Sequence, residues 1–432
     1  MFRRAASTFP PAAAGLVVAA GLLTACGPTP AVTGPDVFTR PANGTFALAG
    51  HGWGHGRGMS QWGAQGAAAS GVAADSILST YYPGTAKTVL ANTPIRVLVS
   101  ADEGRDLAVR PAAGLTATDG LGRKLVLPAG PTRWRVLDDV KGLALQRLET
   151  SGAWTTVPVA GATTLTSPVR LTTTTGLVSV VLPDGSSRDY RGSAAAVRKS
   201  TGGLWTTVSV PMESYLRGVV PKEMSPSWRP AALQAQAVAA RTYAAQRRAS
   251  AAVGAAYDIC DSTSCQVFPG AAGTSKAGVR TSYEYAATDA AIAATAGHVR
   301  TYAGKPAFTE FSASNGGWSV TGNQPYLPAR ADAWDGLAAN PLHRWTATLP
   351  VAALEARFPA LGTLKTMRVT ARDGRGEWGG RVTTVVLEGT DRTGKPTSVT
   401  TTGAAVAAAR SWPAAADGVR SNWWTVTNVP TG

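Results

Sequence analysis

Residues 211–245 read PMESYLRGVVPKEMSPSWRPAALQAQAVAARTYAA. The stretch predicts two helices joined by a proline-rich turn. The first covers about 212–221, because Pro221 lacks an N–H and clashes one turn back. The second covers 229–250, with Ser227 as N-cap and Pro230 in its first turn. Leu233, Ala237, Ala240 and Ala244 keep a helical stripe along it. Between the two helices stands one carboxylate, Glu223, among Val219, Val220, Met224 and Trp228. A helix end aims such a side chain toward a cleft, and apolar neighbours raise its pKa. A carboxyl protonated near neutral pH is a candidate general acid of the kind glycosidic cleavage needs. The competing reading is a surface glutamate paired with Lys222 or Arg217. Arg241 lies in the apolar run 237–245 and shares a face with Gln234 and Val238. It is either a buried partner for a carboxylate or a ligand for an anionic sugar substituent.

The flanks set the fold class. Segments 95–100, 124–127, 169–173, 177–182 and 204–210 alternate or run β-branched, with Gly/Asp turns between several of them. A further helix is expected at 282–296, and 367–372 with 380–388 reads as a hairpin. The class is α+β, a mixed helical core with antiparallel β-sheet subdomains. The expected divisions are 1–26, 27–45, 46–90, a β-rich subdomain 91–206 and a core 207–432. Near the start, every second residue from Gly50 to Gly58 is glycine, in the run GHGWGHGRGMSQWG. An extended chain would put bare backbone on one face and His, Trp and Arg on the other. Ser60 is placed to cap a helix over 61–69, and a short helix over 74–82 is stopped by Pro83-Gly84.

The ends and the charge speak of location. Arg3 and Arg4 precede an apolar run at 12–23, and Leu23-Thr24-Ala25-Cys26 closes it. This is the pattern of a bacterial lipoprotein signal cleaved before Cys26, whose thiol would carry lipid; the alternative is an ordinary secretory peptide. Twelve apolar residues are too few to span a bilayer. Residues 27–45 are rich in Pro, Gly and Thr and read as a tether. The expected location is extracytoplasmic, lipid-anchored to the outer face of the membrane. Net charge is +15, which favours an anionic envelope or simply solubility. No Lys/Arg block exceeds two residues and no nucleic-acid motif is present, so no nucleic-acid partner is expected.

Cysteine usage agrees with export. With Cys26 lipidated, Cys260 and Cys265 remain as a pair in an oxidising compartment. A disulfide is the favoured reading over a metal site. Zinc needs about four N/S ligands, and none of His51, His55, His298 and His343 has ligand spacing to Cys260. No metal and no cofactor is expected. Residues 311–318, FSASNGGW, form a second polar cluster. Ser312, Ser314 and Asn315 suit sugar hydroxyls and Trp318 offers a stacking face; a tight turn between strands is the other reading. No G-x-S-x-G elbow, P-loop or H-E-x-x-H occurs.

These residues resemble the stage II sporulation protein D family (SpoIID/LytB). The resemblance rests on YLRGVVPKEM at 215–224, AQAVAARTY at 235–243, CQVF at 265–268 and FSASNGG at 311–317. It is long and specific over about 205–320 and weaker to 432. The family includes lytic transglycosylases acting on peptidoglycan strands stripped of stem peptides, and proteins described as amidase enhancers. The resemblance implies Glu223 as the catalytic acid and Arg241 as important for activity. It also implies a groove lined by His55, Gln61, Gln236, Tyr243, Ser312, Ser314 and Asn315. Two departures stand out. Family members commonly carry their G-H-G segment after an R-S strand near the end. Here the R-S strand matches 420–426 while the G-H-G segment lies at 50–64, as in a circular permutation. The two segments should therefore pack together. Some relatives also bind zinc near the cysteine pair through a histidine, but Ser264 and Tyr257-Asp258-Ile259 occupy that region here.

The mechanism implied has one carboxylate in both steps. Glu223 protonates the oxygen between N-acetylmuramic acid and N-acetylglucosamine. The muramic C6 hydroxyl then attacks C1, with the ionised Glu223 as base. A retaining hydrolase would want a second carboxylate ~5 Å away, for which Glu310 and Asp332 are conceivable without sequence support. The second reading is a non-catalytic glycan-binding module that stimulates a cell-wall amidase. A monomer is the default for either.

Overall fold

The computed structural model describes residues 36–409 and 418–429. The signal segment, Cys26 and the first part of the expected tether lie outside them. Seven helices occur among the described residues: α1 (Gln61–Ala69), α2 (Ala74–Tyr81), α3 (Met212–Glu223), α4 (Pro230–Ser250), α5 (Ala286–Ala294), α6 (Val351–Arg357) and α7 (Gly403–Ala407). None is long and apolar enough to cross a membrane. The strands are mostly antiparallel and fall into several sheets, so the fold is α+β.

The largest core joins an eight-stranded and a seven-stranded sheet. Strand Ser187–Arg191 belongs to the first and strand Ser193–Arg198 to the second. The chain changes sheet at Gly192, where φ is +97° and an added Cβ would stand 2.1 Å from the Ser209 carbonyl. Only glycine suits such a corner. Strand Leu204–Val210 then feeds through Pro211 into α3. Tyr215, Leu216, Val219 and Val220 of α3 bury themselves in the sheet core.

Helix α4 is the hinge pin of the arrangement. Ala237, Ala240 and Ala244 face the sheet core, while Leu233, Val238 and Ala239 face α1 and α2. Alanine on both sides lets elements approach closely without loss of helix propensity. A third core surrounds Trp345, Met367, Leu387 and Trp424. There Thr363–Arg372 and Val382–Thr390 form the expected hairpin, with Met367 opposite Leu387.

Several expectations need correction. Pro221 does not stop α3, which runs on to Glu223. A proline in the last turn deletes one hydrogen bond, and Met224 N–H still closes on the Val220 carbonyl at 3.0 Å. Ser227 is not the cap of α4. Arg229 holds that position without a side-chain bond, and Pro230 sets the first turn. The tether expected to reach residue 45 gives way at Asp36, because Asp36–Thr39 pairs with Thr366–Val369 as a sheet edge. Phe38 is fully buried there. The glycine run is not an extended strand beyond His51. Gly52, Gly54, Gly56 and Gly58 all take positive φ, and their bare backbone meets Ser314, Ser312, Arg381 and Glu310. Close approach is thus present, by a different backbone path.

The G-H-G segment and the R-S strand pack together, the contact expected of them above. Thr45–His51 pairs antiparallel with Trp424–Val426, placing Gly50 opposite Trp424. Ser421 Oγ donates to the His51 carbonyl at 2.6 Å, and Gly54 N–H to Arg420 O at 3.0 Å.

Candidate active site

Glu223 closes α3 at the floor of an open cleft of about 850 Å³. Neither cation named in the competing reading touches it. Arg217 bonds Glu284 and Asp289 at 2.9 and 2.8 Å, and the Lys222 ammonium sits over the Tyr283 ring. No ion pair holds Glu223 among the described residues. Its carboxyl accepts one bond from Gln61 Nε2, at 3.1 Å, and another from the Val267 backbone. Burial raises its pKa to about 7, and these two bonds pull the other way without offsetting it. The side chain is partly accessible, on the cleft side.

Three separate pieces of chain build the walls. The 265–267 loop forms one. Tyr215 Oη donates to Gln266 Oε1 at 2.9 Å, and Gln266 Nε2 donates to Ala240 O at 3.3 Å. These bonds tie the loop to α3 and α4 and set the Val267 N–H. The Cys260–Cys265 disulfide closes the same loop, with a Cα–Cα distance of 5.5 Å. Loop entropy assigns a ring this short ~2 kcal/mol. Replacing both cysteines by serine should lower the melting temperature by a few degrees, read by calorimetry; a chelator should leave it unmoved. Among the described residues no group of three or more His, Cys, Asp or Glu is placed to hold a metal.

The glycine ribbon and segment 308–313 form the opposite wall. Phe311–Ser312 pairs in parallel with Met59–Ser60. Ser60 caps α1, accepting from Gly63 N–H at 3.0 Å, so the next residue, Gln61, starts the helix pointing at Glu223. His55 lies at the cleft mouth. Its Nδ1 accepts from Arg57 N–H at 3.0 Å, which leaves the ring proton on Nε2. Enclosure by the walls, then Arg57, lowers its pKa, so it is neutral at pH 7. Solvent still reaches the ring. Tyr243 of α4 stacks on Phe308, with centroids 5.2 Å apart.

Of the residues expected here, Glu223, His55, Gln61, Tyr243 and Ser312 line the cleft. Four do not. Ser314 and Asn315 are fully buried beneath it. Ser314 Oγ donates to Asp335 at 2.8 Å, Asn315 Nδ2 donates to Asp332 at 2.7 Å, and Ser60 Oγ donates to Asp335 at 2.5 Å. Their task is to lock the glycine ribbon against 314–316. Asp332 belongs to this buried set, where it also accepts from Tyr81 Oη at 2.6 Å. It therefore offers no second carboxylate to the cleft. Gln236 is fully enclosed in α4 and does not reach the cleft. Arg241 is 2% exposed and grips Glu213 with two bonds of 2.8 and 2.6 Å. Glu213 sits ten residues before Glu223 on α3, ~15 Å along its axis. Arg241 is thus the buried partner of a carboxylate, and that carboxylate is not Glu223.

Two other cleft groups have no motif behind them in the sequence, though Glu310 is named above as a conceivable second carboxylate. Glu310 is in the cleft, clasped by Arg57 through bonds of 2.7 and 2.9 Å. Arg247, one turn beyond Tyr243, stands exposed on the rim. The i, i+4 spacing from Tyr243 could have pointed to Arg247. Nothing local could have paired Arg57 with Glu310.

Comparison with known proteins bears on the same segment. The Stage II sporulation protein family, SpoIID, matches residues 200–302, which hold Glu223, Tyr243 and the disulfide loop. The chain is 34% identical over 140 residues to the Amidase enhancer of Bacillus subtilis, covering 31% of this chain and 17% of that protein. It is 32% identical over 164 residues to Stage II sporulation protein D of Bacillus subtilis, covering 35% of this chain and 46% of that protein. The matched stretch spans less than half the length of either relative. Over residues 200–302, this chain is thus similar to the SpoIID family.

Proposed function

We propose that the chain is an exported peptidoglycan lytic transglycosylase, tethered through lipidated Cys26. The observation carrying this reading is Glu223: a carboxyl with a pKa of about 7, free of any ion pair among the described residues, at the floor of an open cleft. Such a group holds a proton near neutrality and can release and regain it. Glu223 protonates the glycosidic oxygen between N-acetylmuramic acid and N-acetylglucosamine, and the bond to C1 breaks. The muramic C6 hydroxyl attacks C1 and gives its proton to the ionised Glu223. The products are a strand ending in 1,6-anhydromuramic acid and a free N-acetylglucosamine end. Glu310, already bound by Arg57, is not needed as nucleophile. The exposed cations at the cleft, Lys222 and Arg247, suit an anionic wall polymer. A circular permutation of the family fold accounts for the antiparallel pairing of 45–51 with 424–426.

The test is direct. The mature protein is incubated with peptide-free and peptide-bearing glycan strands, and the ends are read by mass spectrometry. Anhydro ends are expected; their absence from both would remove the enzymatic reading. The second reading, a glycan-binding stimulator of a cell-wall amidase, is favoured by the name of the Bacillus relative. It predicts binding without new ends, and faster release of stem peptides when an amidase is added.

Gln61 gives a finer check. Its donated bond favours the ionised carboxylate. Gln61→Ala should therefore move the alkaline limb of the pH–rate profile to higher pH. An unmoved limb would mean that the profile reports another group.

A further inference from the structure

The cleft does not end at its rim. Arg247 is shared by the cleft and by a second hollow of about 380 Å³ on its far side. That hollow is lined by half-buried Trp205 and Tyr257, whose rings meet edge to face at 5.5 Å. Its floor is the end of α4 and the turn that follows. Helix ends leave carbonyl groups unpaired within the helix, and these accept hydrogen bonds from hydroxyl groups. The turn is held firmly. Arg96 bonds the Asp258 carboxylate and the Ala255 carbonyl, and Asp258 N–H donates to Arg96 O at 2.8 Å. Lys199 sits over the Trp205 ring at 3.7 Å and fixes the indole in turn.

Aromatic surface beside hydroxyl acceptors is the chemistry of a saccharide site. Sugar rings present C–H faces for stacking and hydroxyls for donation. Continuity through Arg247 selects the occupant. We infer that the Trp205–Tyr257 hollow is a distal subsite for the same glycan strand that lies over Glu223. The inference rests on the glycan reading of the cleft. It adds that several sugars are held beyond the scissile bond, so that long strands bind better than short ones. Arg247 bridges the two hollows, where it can take a strand carboxylate or ring hydroxyls.

The experiment uses the full chain carrying Glu223→Gln, to prevent turnover, with a chitin disaccharide and a chitin hexasaccharide titrated by calorimetry. The hexasaccharide should bind at least about tenfold more tightly, and Trp205→Ala or Tyr257→Ala should remove most of that advantage, about five- to tenfold each, while leaving the disaccharide unchanged. Trp205→Phe should restore part of it. Tyr257 lies outside the strands, so its variant reads the site even where Trp205→Ala weakens the sheet; melting curves separate the two. Equal binding of both sugars, unmoved by either variant, overturns the distal subsite and leaves the cleft reading intact. Binding of neither sugar overturns both. A third titration uses peptide-bearing glycan strands: if the Trp205 and Tyr257 variants lose affinity for these alone, the hollow is assigned to peptide and a saccharide there is overturned.

Discussion

Glu223→Gln should abolish formation of anhydro ends, by about a thousandfold or more, while glycan binding persists. A general acid contributes about a hundred- to ten-thousandfold, and in the proposed reaction one group serves as acid and then as base. Glutamine keeps the shape and can still meet Gln61 and the Val267 N–H, but it has no proton to cycle. In the proposed reaction the first step needs protonated Glu223. With a pKa of about 7, the rate should fall as pH rises through that value. His55 does not supply this limb, because its pKa is lowered, away from 7.

The same shift has a signature in stability that is independent of turnover. Glu223 has its pKa raised on folding, from 4.5 to about 7. The folded state therefore binds the proton more tightly, and stability falls as pH rises from about 4.5 to 7. Above that window the folded protein carries an unfavourable buried charge; below it the penalty is gone. The upper bound is about 3 kcal/mol, reduced by the open side of the cleft. Glu223→Gln should melt near the wild type at pH 4 and several degrees above it at pH 8. A variant that matches the wild type in stability at both pH values would place the carboxyl in ordinary solvent and remove the ground for the acid. A variant that still makes anhydro ends at the wild-type rate would assign the chemistry to another residue.

What the sequence displayed and what it hid divide along one physical line. Local signals held. Ser60 followed by an Ala-rich run marked α1, the 211–245 pattern marked α3 and α4, and alternation marked Leu204–Val210 to the residue. The choice of Glu223 came from its apolar setting and the resemblance. The apolar cleft walls that face it, Phe308 and Phe311, come from a distant segment. Direction was not legible for polar residues on turns. Ser312 and Ser314 are two apart, yet Ser312 meets the cleft and Ser314 turns to Asp335. Only the buried carboxylate 21 residues later decides that. The glycine alternation was visible, but positive φ at each glycine turns a presumed strand into a ribbon. At 36–39 composition misled: a segment flanked by Pro and Gly still offered Phe38, and a sheet edge with a pocket for one phenylalanine captured it.

Arg241 gives the sharpest separation of family expectation from geometry. The resemblance attaches activity to this arginine, but the guanidinium faces Glu213 and the carbonyls of His298 and Ile292. Glu213 Oε1 also accepts from Gly297 N–H at 3.1 Å. The pair thus joins α3, α4 and the turn after α5, and so fixes the frame from which Glu223 projects. Removing one partner leaves a charge and two carbonyls without their donor. Breaking a fully buried pair in this way costs ~3–5 kcal/mol; Glu213 keeps 21% of its side chain exposed, which puts the expected loss toward the lower end of that range. Arg241→Met should lower the urea midpoint accordingly. The double variant Arg241→Met with Glu213→Gln should recover part of the loss, since no unpaired charge remains. At low temperature, where Arg241→Met is still folded, the turnover per folded molecule and the alkaline limb near pH 7 should match the wild type. Activity should then vanish in step with unfolding, so that the arginine would matter for activity without touching substrate. Wild-type stability with lost turnover would place Arg241 in the chemistry after all, acting on Glu223 across the length of α3.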